Sequence, residues 1–165
     1  MNNNAKKAVI IGITILIATA FFAVWKSYRM PASTEAVTPQ AMSEQSTGPR
    51  VTIGDTTITV TVADTEAVRQ QGLSGKESLA QDEGMLFFFD TPGKYGFWMK
   101  DMHFPIDIIW IDAGWQIVDV THTLTPETYP KVFFPQASVQ YVLEVPAGFS
   151  TQHKLLIGQL VQFEK

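Results

Sequence analysis

The sequence predicts a mainly β fold of the β-rich α+β type. It would be a small, mostly antiparallel, barrel-like sheet with one or two short helices, preceded by one transmembrane helix. Three observations predict it. Short runs of β-branched and aromatic residues recur, turn residues separate these runs, and an uncharged apolar stretch stands near the N-terminus. At 165 residues, the chain has room for one ordinary domain and an appendage.

The apolar stretch, residues 8–25, contains eighteen residues without a charge. At about 1.5 Å per residue it is just long enough to cross a bilayer as a helix. A cleaved signal peptide would have a small-x-small site behind its apolar core, but Ala18-Thr19-Ala20 lies inside the run. We therefore expect an uncleaved signal anchor. Positive charge on its N-terminal side slightly exceeds that behind it, so residues 1–7 form a cytoplasmic tail and the domain is exported to the cell envelope.

A flexible linker is predicted for residues 26–49. From Met30 onward this segment contains prolines and many small polar residues, with few large apolar side chains. It therefore buries too little surface to offset the entropy of ordering.

Charge and cysteine content narrow the function. Residues 50–165 carry eight basic and fourteen acidic side chains without a basic stripe, so nucleic acid is not an expected partner. The chain has no cysteine, which removes disulfides, thiolate metal sites and thiolate nucleophiles.

The domain itself, residues 50–165, begins with a hairpin signal. Gly54-Asp55 separates two β-rich runs, and in the second run Ile58, Val60 and Val62 alternate with threonines. A short helix over Glu66–Gln71 follows, capped by Asp64 or Thr65 and ended by Gly72.

The remaining pattern predicts further strands, separated by turns. The strands are expected at 84–89, 97–99, 104–111, 115–124, 139–145 and 160–163. Turns are expected at 90–93, 112–114 and 146–148, and a proline-bounded loop at 125–135. On the 115–124 strand, Val118, Val120, His122 and Leu124 are predicted to share one face.

Five motifs now carry a resemblance to a known family. They are Gly72-Leu73-Ser74-Gly75-Lys76, Gly84-Met85-Leu86-Phe87, Phe97-Trp98-Met99-Lys100, Pro105-Ile106-Asp107-Ile108-Ile109 and Val142-Leu143-Glu144-Val145-Pro146-Ala147-Gly148. In this order and spacing the chain resembles the domain-of-unknown-function 192 family, also called uncharacterised protein family 0127. The resemblance covers about residues 50–165 and implies a small β-rich domain without an agreed activity. Many members have Arg in place of Lys76 and Asn-Thr in place of Asp101-Met102, which would alter a site that uses those groups.

Two carboxylates are the candidate catalytic residues. Asp107 shares a strand face with Ile109 and Ile111, so it is either structural or a catalytic or ligand-binding acid with a perturbed pKa. In the structural case it accepts backbone N–H bonds or pairs with Arg69 or Lys100. Glu144 has a similar status on the face of Val142, and the two together suit glycosidic chemistry if they meet.

A candidate ligand-binding cleft is predicted from crowding between two strands. Trp98, Lys100, Asp101 and His103 fall within six positions, and we expect them to border the cleft, with Asp107 behind it and Glu144 nearby. The three histidines lack metal-ligand spacing, so neither a metal nor a cofactor is expected.

Three functions follow from these features. The first is a ligand-binding or accessory module of the cell envelope, held at the membrane by residues 8–25 and binding a small molecule or glycan. The second is a carboxylate-based hydrolase acting on envelope glycans. The third is a structural partner of another membrane protein through an aromatic patch.

Overall fold

The computed structural model describes residues 48–165. Outside this part of the chain lie the predicted tail, the predicted membrane anchor and all but the last two residues of the predicted linker. Within it, neither helix has the length and apolar character needed to cross a membrane.

Seven strands and two short helices make up the described domain. The strands are β1 (Arg50–Ile53), β2 (Thr56–Ala63), β3 (Glu83–Gly93), β4 (Ile106–Ile111), β5 (Ile117–Leu124), β6 (Val139–Pro146) and β7 (Val161–Glu164). The helices are α1 (Glu66–Gln71) and α2 (Phe149–Gln152), and a single 3-10 turn spans Pro126–Thr128. The predicted mainly β class with two small helices is confirmed.

The strands form one half-barrel sheet in the order β5-β4-β6-β3-β2-β1-β7. Strands β2 and β3 are parallel, and the other neighbouring pairs in the sheet are antiparallel. Two further backbone hydrogen bonds join the starts of β5 and β7 to the residues that precede them. The Ile117 N–H of β5 donates to the Gln159 carbonyl before β7 at 2.9 Å, and the Val161 N–H of β7 donates to the Trp115 carbonyl before β5 at 2.9 Å. The first and last strands of the sheet are thereby brought together.

The first elements form as their sequence predicts. The β1–β2 hairpin turns at Gly54, whose φ of 58° is a conformation that glycine adopts at little cost. The side chain of Thr65 caps α1 by accepting from the Val68 N–H at 3.3 Å, and Gly72 follows the last helical residue. Helix α1 and its following loop provide the crossover that a parallel β2–β3 pair requires.

Each face of the sheet carries its own apolar core. The first cluster includes Ile58, Val60, Leu86, Ile109, Ile111, Leu143, Val145 and Phe149. The second cluster includes Met85, Phe87, Met99, Met102, Ile108, Trp110 and Val142. Because both faces are covered, the central strands β3, β4 and β6 are apolar at successive positions instead of alternating.

Two predictions about the central region are wrong. Residues 90–93, predicted as a turn, continue β3, because the β3–β6 register shifts between Phe88 and Gly93 and the turn-forming residues lie in this irregular stretch. Residues 97–99, predicted as a strand, make a single bridge in which Phe97 exchanges backbone bonds of 2.9 and 2.8 Å with Phe133.

The predicted common face of β5 is also wrong. Val120 packs against the first cluster, whereas Val118 and Leu124 belong to the second. The β4–β5 register shifts at two places, one near each end of β5, and each shift exchanges the faces of the residues beyond it. One irregularity is visible at Thr123, whose φ is 50°.

Candidate functional site

Asp107 is a fully buried carboxylate on β4, and its oxygens are surrounded by donors. Oδ1 accepts from the N–H groups of Thr123 at 2.8 Å and Gly148 at 3.2 Å. Oδ2 accepts from the Ser150 N–H at 3.0 Å and from the Ser150 hydroxyl. The carboxylate therefore joins β4 to the end of β5 and to the turn that begins α2.

Burial alone would raise the pKa of Asp107, but the hydrogen bonds from Ser150, Thr123 and Gly148 outweigh it and hold that pKa below its usual value. Of the interactions expected for a structural Asp107, the backbone N–H bonds are present. Neither Arg69 nor Lys100 pairs with it among the described residues. These contacts make Asp107 a cross-link between three segments.

A serine and a histidine extend this cross-link to the surface. The Ser150 hydroxyl lies 2.8 Å from Nδ1 of His122, which is exposed. In a serine-nucleophile triad the histidine stands between the serine and the acid, so that it can remove the hydroxyl proton. Here the serine stands between the acid and the histidine, and only 2% of Ser150 is exposed. This order does not activate the serine.

Glu144 lies on the other face of the sheet, and its carboxyl, unlike that of Asp107, is not fully hydrogen-bonded within the described domain. On β6 its register neighbours are Met85 of β3 and Ile108 of β4, both members of the second cluster. Only 5% of the residue is exposed, and its Oε2 atom has no hydrogen-bond partner among the described residues. Burial raises the pKa of Glu144 to about 8, so the carboxyl is mostly protonated at neutral pH.

Glu144 lines a cavity of about 580 Å³ beside the second cluster. Helix α1 and the loop after it form one side, and β3 and the segment before β4 form the other. Five aromatic side chains line it: Phe87, Phe89, Tyr95, Phe97 and Trp98. A volume of this size with apolar walls and a few polar groups is typical of a small-molecule site.

Ring packing fixes the aromatic wall. Phe89 stacks on Tyr95 with centroids 3.6 Å apart, and Phe87 meets Phe97 edge to face at 4.9 Å. Trp98 is 53% exposed and contacts the Tyr129 ring edge to face at 6.1 Å. The wall is therefore preformed, with Trp98 at its solvent-exposed end.

Two short loops hold the polar side of the cavity. The Ser74 hydroxyl donates to the Lys100 carbonyl at 2.7 Å, and the Gly75 N–H donates to the Asp101 carbonyl at 2.8 Å. These bonds connect the loop after α1 to the segment before β4. Arg69 is held too, since its Nη1 donates to the carbonyls of Asp64 and Phe88, each at 2.9 Å.

Some of the predicted site residues line the cavity, and others do not. Trp98, Lys100 and Glu144 line the cavity, whereas Asp101 and His103 are exposed and do not. Asp107 lies on the opposite face of the sheet and is not behind the cavity, because it pairs in register with Val145 while Glu144 pairs with Ile108. The two carboxylates therefore do not form the pair that glycosidic chemistry requires.

Sequence reasoning missed several cavity residues. Arg69, Gln70 and Gln71 come from α1, and Phe89 and Tyr95 come from β3 and the segment after it. Nothing in the local pattern of α1 indicates which strands it covers, so these residues had no sequence signal. Across residues 48–165, histidine and carboxylate side chains nowhere gather in threes as a metal site would require.

Comparison with known proteins identifies the family. The family model of domain of unknown function 192, described as "Uncharacterized ACR", matches residues 49–163. The chain therefore belongs to this family, as the five motifs predict. It is also 32% identical over 69 residues to a UPF0127 protein of Pyrococcus horikoshii. That alignment covers 42% of this chain and 54% of the relative, so the chain spans about half the length of the curated relative that it matches.

Two solved structures share the fold. A Sinorhizobium meliloti protein described as "a putative transcription regulator" superposes with a TM-score of 0.65 at 26% identity, covering 70% of this chain and 91% of that one. A protein of unknown function from Novosphingobium aromaticivorans gives a TM-score of 0.64 at 23% identity, covering 69% of this chain and 82% of the other. The second likeness concerns the fold alone.

Proposed function

We propose that this protein is a small-molecule-binding module of the cell envelope, tethered to the membrane by residues 8–25. The observation that carries the binding role is the Glu144 carboxyl, which is almost fully buried, has an unpartnered oxygen and faces a preformed cavity. Leaving a buried polar atom without a partner costs about 1–3 kcal/mol. A ligand that hydrogen-bonds this carboxyl would remove that cost.

The shape of the cavity supports a ligand with an apolar or ring-shaped body. Its aromatic wall offers flat faces to such a body, and Glu144 and Lys100 add hydrogen-bonding groups. A sugar or a small amphipathic molecule has both features. The ligand would enter past Trp98, the most exposed of the five aromatic side chains.

Binding is tested by screening the full-length protein, in lipid nanodiscs, against envelope glycan fragments and small amphipathic metabolites by thermal shift. A true ligand should raise the melting temperature of the wild type, and Trp98→Ala should weaken its affinity. Leu156→Ala is the control, since Leu156 is also a large, exposed apolar residue and lies outside the cavity lining. A confirmed ligand whose affinity is unchanged in Trp98→Ala would place the site elsewhere.

The membrane role is supported by the sequence of residues 8–25 and by the charge bias around it. Its test is a pair of reporter fusions at the C-terminus. Alkaline phosphatase should be active, because it folds after export. A reporter that works only in the cytoplasm should be inactive, and the reverse pattern would refute export.

A protein partner is a second candidate role, favoured by one observation. Trp98, Tyr129, Val132 and Phe134 all expose large apolar side chains. Val132 and Phe134 lie beside Gly96, where an added Cβ would come within 2.6 and 2.8 Å of them. Because Gly96 also lines the cavity, the patch adjoins the cavity, and it suits contact with another membrane protein. A photocrosslinker at position 134 should capture one protein that a crosslinker at exposed Glu77 does not.

We do not propose the carboxylate-based hydrolase. Both carboxylates would have to reach the same glycosidic bond, and the β4–β6 register directs Asp107 and Glu144 to opposite faces.

A further inference from the structure

The charges around the cavity favour a negatively charged ligand group. The charged side chains that line it are Glu66, Arg69, Lys100 and Glu144. With Glu144 protonated, the two cations exceed the single remaining anion, although the domain as a whole is acidic. This surplus of one positive charge favours a ligand group with a negative charge.

Arg69 has unused hydrogen-bond donors within the described part of the chain. Its Nη1 is held by the carbonyls of Asp64 and Phe88, and its guanidinium lies 5.5 Å from the centre of the Phe89 ring. Its other N–H groups donate to no acceptor within the described part of the chain. A guanidinium held in this way has little conformational freedom to lose when it binds a planar anion.

Lys100 and Glu144 complete the set of donors. The Lys100 side chain is exposed and makes no ion pair with any described residue. A protonated carboxyl donates one O–H bond, and carboxyl-to-carboxylate hydrogen bonds are short and strong. The three groups reach the cavity from α1, from the loop before β4 and from β6.

We propose that the cavity binds a small organic carboxylate with an apolar body, whose carboxylate is held by the Glu144 carboxyl, Arg69 and Lys100 while the aromatic wall packs on the body. This inference rests on the proposed function, and it adds the chemical class of the ligand. An ammonium ligand would have the opposite requirement. It would need Glu144 ionised, and it would face the charges of Arg69 and Lys100.

Protonation of Glu144 makes this binding depend on pH. The neighbours of Glu144 on β3 and β4 are apolar, and the groups across the cavity that titrate or carry charge are Glu66, Arg69, Lys100 and Tyr95. A carboxylate that binds only when Glu144 is protonated should therefore bind roughly tenfold more weakly at pH 9 than at pH 7.

The test is calorimetry with three matched probes: 3-phenylpropionate, 3-phenylpropylamine and 3-phenylpropanol. The full-length protein in nanodiscs is titrated with each probe at pH 7 and pH 9. The carboxylate should bind best, and its affinity should fall about tenfold at pH 9. Glu144→Gln keeps an N–H donor but does not titrate, so it should bind the carboxylate with the same affinity at both pH values.

Lys100→Gln should weaken carboxylate binding, whereas Lys94→Gln, on an exposed lysine outside the cavity lining, should not. Preferential binding of the amine, or wild-type carboxylate affinity that ignores pH, would overturn the inference. If phenylpropanol alone binds and Trp98→Ala weakens it, the proposed binding function stands and the carboxylate class is wrong. If none of the three binds at millimolar concentration, this inference fails, and the broader screen decides the proposed function.

Discussion

Asp107 and Glu144 lie on neighbouring strands one register position apart, and they point to opposite faces of the sheet. Asp107 accepts four hydrogen bonds, whereas Glu144 has an oxygen without a partner in the described domain. The same side-chain chemistry therefore has two outcomes here. One carboxylate cross-links three segments of the fold, and the other is the group that we propose to bind a ligand.

Removing the Asp107 charge should destabilise the protein. We expect Asp107→Asn to lower the free energy of unfolding by about 2–4 kcal/mol, because an amide cannot accept all four bonds and its own N–H groups would face donors. Asp101→Asn is the control, since Asp101 is exposed and its φ of 54° suits Asn as well as Asp. Urea unfolding at pH 7 measures both variants.

The Asp107 effect should also depend on pH. Its pKa in the fold lies below the usual 3.8, so its contribution is complete above about that pH and is lost as the pH falls through the lower, folded value. The gap between wild type and Asp107→Asn should therefore be constant from pH 5 to 7 and shrink in strong acid. A gap that stays the same near pH 2 would contradict a charged Asp107.

Glu144 should have the opposite dependence. Its pKa rises from 4.5 in the unfolded chain to about 8 in the fold, so below pH 4.5 both states are protonated and the group carries no penalty for ionisation. Between pH 4.5 and 8 the unfolded state releases its proton first. The free energy of unfolding therefore falls by about 1.4 kcal/mol per pH unit from this group.

Glu144→Gln removes this titration, so the variant should gain stability relative to wild type as the pH rises from 5 to 8. Glu77→Gln, on an exposed glutamate, should follow the wild type. Urea unfolding at pH 5, 6.5 and 8 gives the comparison. Parallel curves for Glu144→Gln and wild type would show that the Glu144 pKa is not raised.

Ser150 should matter through its hydroxyl. It contacts both Asp107 and His122, so Ser150→Ala leaves one carboxylate oxygen with fewer donors and should cost about 1–2 kcal/mol. Thr151→Ala, on the next and exposed residue of α2, should change stability by less than about 0.5 kcal/mol. Equal effects of the two variants would contradict the cross-link.

The domain should fold without its N-terminal segment. Both apolar clusters are formed by residues from 51 to 161, and all seven strands lie within the described part of the chain. A fragment covering residues 48–165 should be soluble and unfold in one cooperative thermal transition. An insoluble or molten product would show that the domain boundary is wrong.

The sequence correctly predicted the parts of the fold that depend on residues close together in the chain. Gly54-Asp55 predicts the β1–β2 hairpin, because these residues allow the backbone to reverse direction. Thr65 predicts the start of α1, because its side chain accepts a hydrogen bond from a backbone N–H of the first helical turn. The Asp90-Thr91-Pro92-Gly93 stretch has equally strong turn chemistry but continues β3. There, pairing of β3 with β6 on both sides of the irregular stretch overrides the local preference.

The candidate site was predicted only in part, because some of its features depend on contacts between distant segments. Alternation along the strands correctly grouped Asp107 with Ile109 and Glu144 with Val142. Which faces come together depends on the β4–β6 register, and which helix covers Glu144 depends on the β2–β3 crossover. The sequence of a single segment indicates neither the strand register nor the position of the crossover helix. The prediction therefore placed Asp107 behind the cleft and did not include Arg69 among the residues that line it.

The central claim is that the cavity beside Glu144 binds a ligand, and methyl NMR tests it most directly. The full-length protein in nanodiscs is labelled with ¹³C-methyl methionine and titrated with the best ligand of the screen. Met102 lines the cavity, and Met85 is the register neighbour of Glu144 on β3. We predict that the Met102 signal shifts most, with a smaller change at Met85, and that Glu144→Leu abolishes both changes while remaining folded. Shifts confined to methionines of the N-terminal segment, or unchanged binding by Glu144→Leu, would contradict the claim.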